Sequence, residues 1–417
     1  MGPMVLFDKS AIEMLNVNEA AVFDCLFMTN LCPIYLVEVL ADLQKKETSG
    51  RDHAKVVADM ARKTPVLHTY PNVVHTTMCL HELLGRPVGM DGRPSVGGGR
   101  AVKHAGKVSM VFDAQPEMEA FNRWQDGRFM DVERMFVAGW RQALLDMDLS
   151  GSAKVIKGAL GVTAMPKNEA DAFAMARQVM ATTPRFELLK TAYFVLGLPK
   201  EMFRYVEQRW KSHGYPALTD YAPYVAHCFL VDLFFYIAID KGLISPDRPS
   251  NRTDMAYLYY LPFCEVFLSN DKLHRRAAPL FLTERQRFVV AGELKPELTT
   301  LEAALWELPE DQKEEGLFHL AGRPPEGSSG LLKSLWDRFR PGHEKKKDET
   351  DRMTPEQTDR LLKELKRMSG GDKAAPSSWR PSPSQLRDPD RVMIERKIPV
   401  GRGRWRMLPK GIKGDLD

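Results

Sequence analysis

Cysteine is scarce in this chain. Five thiols stand among 417 residues, at Cys25, Cys32, Cys79, Cys228 and Cys264, and none forms a Cys-x-x-Cys pair. The odd number, with three in apolar runs, excludes a disulfide framework and a zinc site and points to free thiols in a reducing compartment. Long hydrophobic runs are also lacking. The most apolar stretch, Tyr224 to Ile239, is too short to span a bilayer and carries Asp232, so it reads as a buried helix. Asp8 and Lys9 come too early for a signal peptide, and the expectation is a cytoplasmic protein without a membrane partner. No serine sits in a Gly-x-Ser-x-Gly context, which excludes that class of nucleophilic hydrolase. No internal repeat is visible.

The net charge is only +4, yet it is unevenly spread. Residues 331–417 carry 22 Lys+Arg against 14 Asp+Glu, so a mildly acidic body bears a basic tail. Such tails meet nucleic acid or acidic surfaces. With 44% hydrophobic residues the chain has material for a sizeable core and two or three domains.

The apolar run Met4-Val5-Leu6-Phe7 reads as a buried strand and ends at Asp8. A helix from about Asn18 places Val22, Phe23, Leu26 and Phe27 on one face. Another, from about Pro33 to Lys45, carries Glu38 and Asp42 four residues apart on a shared face. Near Asp220 the chain turns strongly apolar again. Asp254 opens a short helix stopped by Pro262, and the run Phe263 to Leu268 reads as a strand leading into Ser269-Asn270-Asp271. Arg287 to Ala291 reads as a last strand. In open parallel sheets, ligands bind just beyond the carboxyl ends of strands. Asp8 and Asp271 occupy such ends. Joined by Glu38 and Asp254, they offer hard oxygen ligands to a divalent cation. Taken singly, each acid also reads as a turn residue, a helix cap or a solvated helix face.

Order and spacing together resemble a PIN domain, the Mg²⁺-dependent nuclease fold. The matching segments are Phe7-Asp8-Lys9-Ser10, Val37-Glu38-Val39-Leu40, Asp254-Met255-Ala256 and Ser269-Asn270-Asp271, with 17 residues from Asp254 to Asp271. Ser269 stands where the family usually has Thr, and Lys9 is unusual beside the first acid. The resemblance implies an α/β fold with a PIN-like parallel sheet flanked by helices. It divides the chain into a discontinuous core of residues 1–45 and 220–300, a helical insertion of 46–219, and a linker with a mostly disordered basic tail over 301–417. It further implies an endoribonuclease in which Asp8, Glu38, Asp254 and Asp271 are catalytic and hold Mg²⁺ or Mn²⁺. Ser10 or Ser269 would orient a carboxylate or a water. RNA is the implied substrate and single-stranded DNA the other. Attack in line would leave a 5′-phosphate, and a protein inhibitor or regulator is a possible partner. The alternative is a catalytically inactive PIN-like interaction or nucleic-acid-binding module, favoured by Lys9, whose cation would replace a metal.

Arg100, Lys103 and Lys107 follow Gly97-Gly98-Gly99 in a long basic loop, a candidate clasp for a nucleic-acid backbone. The tail's Arg402-Gly403-Arg404-Trp405-Arg406 mixes cations with an aromatic, as RNA-binding segments do. His68, His75 and His81 lack metal spacing and read as ordinary histidines. Trp210, Tyr215 and Tyr221 read as core. Asp24 reads as a bystander on its helix.

Overall fold

The computed structural model describes residues 1–44, 52–104, 107–113, 115–161, 166–343, 382, 385 and 389–410. Its centre is strand β1 (Met4–Phe7), every residue of which is buried. Four consecutive apolar residues suit a strand covered on both faces. The helices α1 (Lys9–Glu13) and α2 (Val17–Leu26) follow. Asn16 caps α2 through a capping box with Glu19, each accepting the other's backbone N–H. Strand β2 (Met28–Leu31) lies parallel to β1, and Pro33 then starts helix α3 (Pro33–Ala41). After helix α4 (His53–Lys63) comes strand β3 (Thr69–Pro71), parallel to β2.

A hairpin of β4 (Arg100–His104) and β5 (Lys107–Phe112) stands apart from this sheet. Helices fill the chain from Pro116 to Ser212. Helix Pro223–Asp240 packs against helices Leu149–Leu160, Glu169–Thr182 and His75–Leu83. Among the described residues it is the helix long and apolar enough to cross a membrane, and 72% of that window is buried within the protein, so it serves here as a core helix. Strand β6 (Val266–Ser269) pairs parallel with the other side of β1, and β7 (Arg287–Val290) pairs parallel with β6. The sheet order is β3-β2-β1-β6-β7. This is an α/β fold with a five-stranded parallel sheet and helices around it.

Two expectations are corrected. The segment 46–219, expected as a helical insertion, supplies the edge strand β3 and the β4–β5 hairpin besides its helices. Arg100, Lys103 and Lys107 therefore lie on strands. Alternation along the pleat puts Lys103 on the face opposite Arg100 and Lys107, because Arg100 pairs with Val111 and Lys103 with Val108. The three cations do not form one clasp.

The second correction concerns the tail. Order does not decline after Thr300: helix Ala291–Trp306 runs through that point, and helix Leu331–Phe339 buries Leu332, Leu335 and Trp336. Strand β8 (Arg391–Ile394) adds to β5, and β9 (Gly401–Arg402) pairs with β10 (Trp405–Arg406). Trp405 and Met407 are buried. Arg402 reaches Asp24, and Arg404 forks onto both oxygens of Glu302. These cations are used inside the protein. Residues 344–381 of this segment lie outside the described residues. Two smaller readings change as well. Tyr215 is exposed, with a left-handed backbone at φ 59°, while Trp210 is buried as expected. Asp24, expected as a bystander, is fully buried and accepts the N–H groups of Val66 and Leu67.

Candidate functional site

The sheet order reverses direction at β1, whose neighbours are β2 on one side and β6 on the other. The crevice beyond the carboxyl ends of β1 and β6 is a topological switch point, where such sheets bind ligands. Asp8 and Asp271 sit there because each immediately follows or nearly follows one of these strands. Each also starts a helix. Asp8 accepts from Ala11 N at 2.9 Å, and Asp271 accepts from Leu273 N at 2.6 Å and His274 N at 3.2 Å.

Asp8 is buried and surrounded by donors. Ser10 Oγ lies 2.8 Å from both of its carboxylate oxygens, and Ser269 Oγ donates to Oδ2 at 2.7 Å. His274 Nδ1 stands 3.2 Å from the same Oδ2. With the Ala11 bond, the lone pairs of this carboxylate are taken up within the protein. Ser10 and Ser269 both hydrogen-bond the Asp8 carboxylate. Ser10 Oγ also accepts Asn270 N, and Ser269 Oγ accepts Asp271 N, which ties the end of β6 to the start of α1.

His274 was not singled out in the sequence. Its ring is fully buried, and Nε2 faces the main-chain oxygen of Asp254 at 2.7 Å, so Nε2 must donate. Nδ1 faces the Asp8 carboxylate and a Ser269 Oγ whose proton already points to Asp8. Both nitrogens therefore donate, and the ring is an imidazolium. Burial opposes this charge, but the hydrogen bond and charge of Asp8, with Asp254, outweigh it and raise His274 to about 9. A signal for it existed: His274 is the third residue past an Asp N-cap, on the helix face that carries Leu273 and Ala277 inward.

Glu38 projects from α3 and accepts the hydroxyl of Tyr257. Burial pushes its carboxyl up to about 7. Asp254 and Asp8 push the same way, while Tyr257 and Lys9 pull down. Asp254, on helix Ser250–Ala256, is raised to about 7 by burial first and then by Asp271 and Asp8, against His274 and Arg248. The fold thus brings all four acids into one electrostatic neighbourhood. They do not form a cage: among the described residues, no group of three or more His, Cys, Asp or Glu side chains is placed to hold an ion. Lys9 does not pair with Asp8. Its ammonium bonds to the buried Asp42.

The free acceptor capacity lies on three acids. Among the described residues, the Asp254 carboxyl accepts no hydrogen bond, and Glu38 and Asp271 each use a single oxygen. Hard carboxylate oxygens that repel one another suit a divalent cation. Mg²⁺ in particular keeps several waters and needs only one or two carboxylates. Asp254, with Glu38 or Asp271, is where such an ion could be held.

The arrangement is compatible with a PIN-like α/β fold. Comparison with protein-family models, with curated proteins and with solved structures finds no match.

Proposed function

We propose that this chain is a PIN-like, divalent-metal-dependent phosphodiesterase that cleaves RNA. The observation that carries the reading is the raised pair Glu38 and Asp254 at the switch point, both near 7 through burial first, with Asp254 and Asp8 adding to Glu38 and Asp271 and Asp8 adding to Asp254. Acids so perturbed cluster at functional sites. Asp254, with Glu38 or Asp271, would hold Mg²⁺ or Mn²⁺. When bound, the cation supplies charge neutralisation on a phosphate and activation of a water. Ser10, Ser269 and His274 hold the Asp8 carboxyl in a fixed orientation beside this site. Glu38, poised near neutrality, is suited to take a proton from an attacking water and release it on turnover. Tyr257 fixes the direction of that carboxylate.

A second reading, a non-catalytic PIN-like interaction module, draws on the His274 imidazolium and the Lys9–Asp42 pair, two internal cations within the acidic region. One experiment separates the two. Single-stranded RNA is incubated with the full chain in Mn²⁺, beside melting curves with and without metal. The nuclease reading expects cleavage and a Mn²⁺-dependent rise in Tm, both lost in Asp254→Asn by at least about 100-fold in rate. A wild-type chain that cuts neither RNA nor single-stranded DNA and gains no thermal stability from Mn²⁺ replaces it with the module reading.

A further inference from the structure

Among the described residues, several of the cations expected to meet nucleic acid are committed elsewhere. Arg402 and Arg404 are held by Asp24 and Glu302, and Arg396 lies over the Tyr70 ring, its guanidinium 4.7 Å from the centroid. The hairpin cations divide between two faces. A different set neighbours Asp254 and Asp271 along the chain. Arg248 is exposed on the turn into the helix of Asp254, its main-chain oxygen accepting Asn251 N, and its charge is felt by the Asp254 carboxyl. Lys272 is exposed immediately after Asp271, and Arg275 one turn further along the same helix face. Helices Ser250–Ala256 and Lys272–Ala277 are fastened together by the His274 bond to the Asp254 main chain, so the cations of both have a fixed relation to the acids. Among the described residues Arg248, Lys272 and Arg275 form no ion pair, unlike the adjacent Arg276, which is held by Glu169.

We propose that Arg248, Lys272 and Arg275 form a phosphate-binding rim that seats the backbone of a single-stranded nucleic acid across the acidic crevice. The reasoning is electrostatic. A polyanion will not approach a cluster of carboxylates unaided, because like charges in a partly buried site repel strongly. Exposed cations at the edge of that cluster offset the repulsion and place a phosphate beside Asp254. The contacts are to phosphate, so they fix register without reading bases. Three such cations, Arg248 on the turn before one helix and Lys272 and Arg275 on the helix joined to it, suit phosphates in succession along one strand.

The proposal rests on the reading of the crevice as a phosphodiester site, and its test is run so that the two fail separately. Binding of a short fluorescein-labelled oligouridylate to the full chain is followed by anisotropy in EDTA, where no cleavage interferes, at a series of salt concentrations. The variant R248Q/K272Q/R275Q is compared with wild type and with the hairpin variant R100Q/K103Q/K107Q. For single strands each phosphate contact contributes about 0.7 to the slope of log K against log salt. The rim variant is expected to flatten that slope by about 2, with each single substitution removing about 0.7, while its Tm and its Mn²⁺-dependent Tm rise persist. A rim variant with the wild-type slope, or a loss of slope confined to the hairpin variant, overturns the proposal. A wild-type chain that binds with the expected slope but never cleaves in Mn²⁺ leaves the rim standing and sinks only the nuclease reading.

Discussion

Asp24 and Arg402 are 378 positions apart in the chain, yet Arg402 Nη1 lies 2.7 Å from Asp24 Oδ2 in the interior. The same guanidinium donates to the main-chain oxygens of Arg62 and Thr64. Asp24 is held above its usual carboxylate range because burial outweighs Arg402 and the two backbone donors. The pair joins the C-terminal segment to α2 and to the turn before β3.

Breaking one side of this pair leaves an uncompensated buried group. Arg402→Ala is expected to cost about 3–5 kcal/mol. Removing residues after 343 deletes the same contact with Trp405 and Met407 and is expected to lower Tm more than Arg402→Ala does. Urea denaturation of both proteins checks this. A truncated chain that melts like wild type would show the segment to be dispensable.

Gly403 makes the turn between β9 and β10 with φ 59°, and a Cβ there would stand 2.1 Å from Asn18 Oδ1. That oxygen accepts Arg404 N. Gly403→Ala is expected to destabilise by more than about 1 kcal/mol, since alanine resists positive φ and the Asn18 contact must yield. The measurement is the urea midpoint. An unchanged midpoint would mean that the turn tolerates rearrangement.

Asp8 and Asp254 are expected to respond oppositely to amide substitution in metal-free protein. Asp8→Asn takes away the anion that His274, Ser10 and Ser269 surround, and the buried imidazolium loses its partner, at a cost of about 2–4 kcal/mol. Asp254→Asn removes an unpaired, repelled carboxylate and is expected to leave Tm in EDTA equal to wild type or higher. Equal losses in both variants would contradict the distinction between an engaged and an open acid.

The pH dependence has a definite sign. Glu38 moves from 4.5 to about 7, Asp254 from 3.8 to about 7 and His274 from 6.5 to about 9. All three bind protons more tightly in the folded state, so their stabilising contribution is full below about pH 4 and is lost as pH rises through 7 and then 9. His68 and His227, lowered to about 4, and His75, lowered to about 3, act the other way in acid. The informative quantity is therefore a difference. In EDTA the double variant E38Q/D254N is expected to lose less Tm than wild type between pH 5 and 8, and Mn²⁺ is expected to flatten the wild-type curve. Parallel curves for the two proteins would count against raised acids at this site.

Much of the central sheet was legible because β1, β6 and β7 are apolar runs bounded by turn residues. Strand β2 was not, because two of its four residues are the polar Thr29 and Asn30. They are fully buried and satisfied only across the sheet, by Thr69 and by Asn72 and Phe263. Strand β3 is three residues ending in Pro71, a length and composition that carry no periodic signal. Tyr257 escaped notice because a single Tyr in an apolar segment carries no local mark of its partner, and His274, although it follows an Asp N-cap, carries no local mark of Asp8. Arg402 and Arg404 read as a solvated or RNA-binding run because their acidic partners lie in distant parts of the chain.

By itself the sequence determined the buried runs that become parallel strands, the acids that end or follow them, and the free thiols. These depend on residues close together in the chain, where burial period, capping and turn chemistry act. Tertiary structure alone decided that Asp8 is saturated while Asp254 is open, that Lys9 turns to Asp42, and that Arg402 and Arg404 are used inside the protein. Each of those outcomes depends on which donors and charges the fold brings together, from 33 positions apart for Lys9 and Asp42 to 378 for Asp24 and Arg402. Burial then sets how strongly they act, because removing water raises both the cost of an unpaired charge and the strength of a paired one.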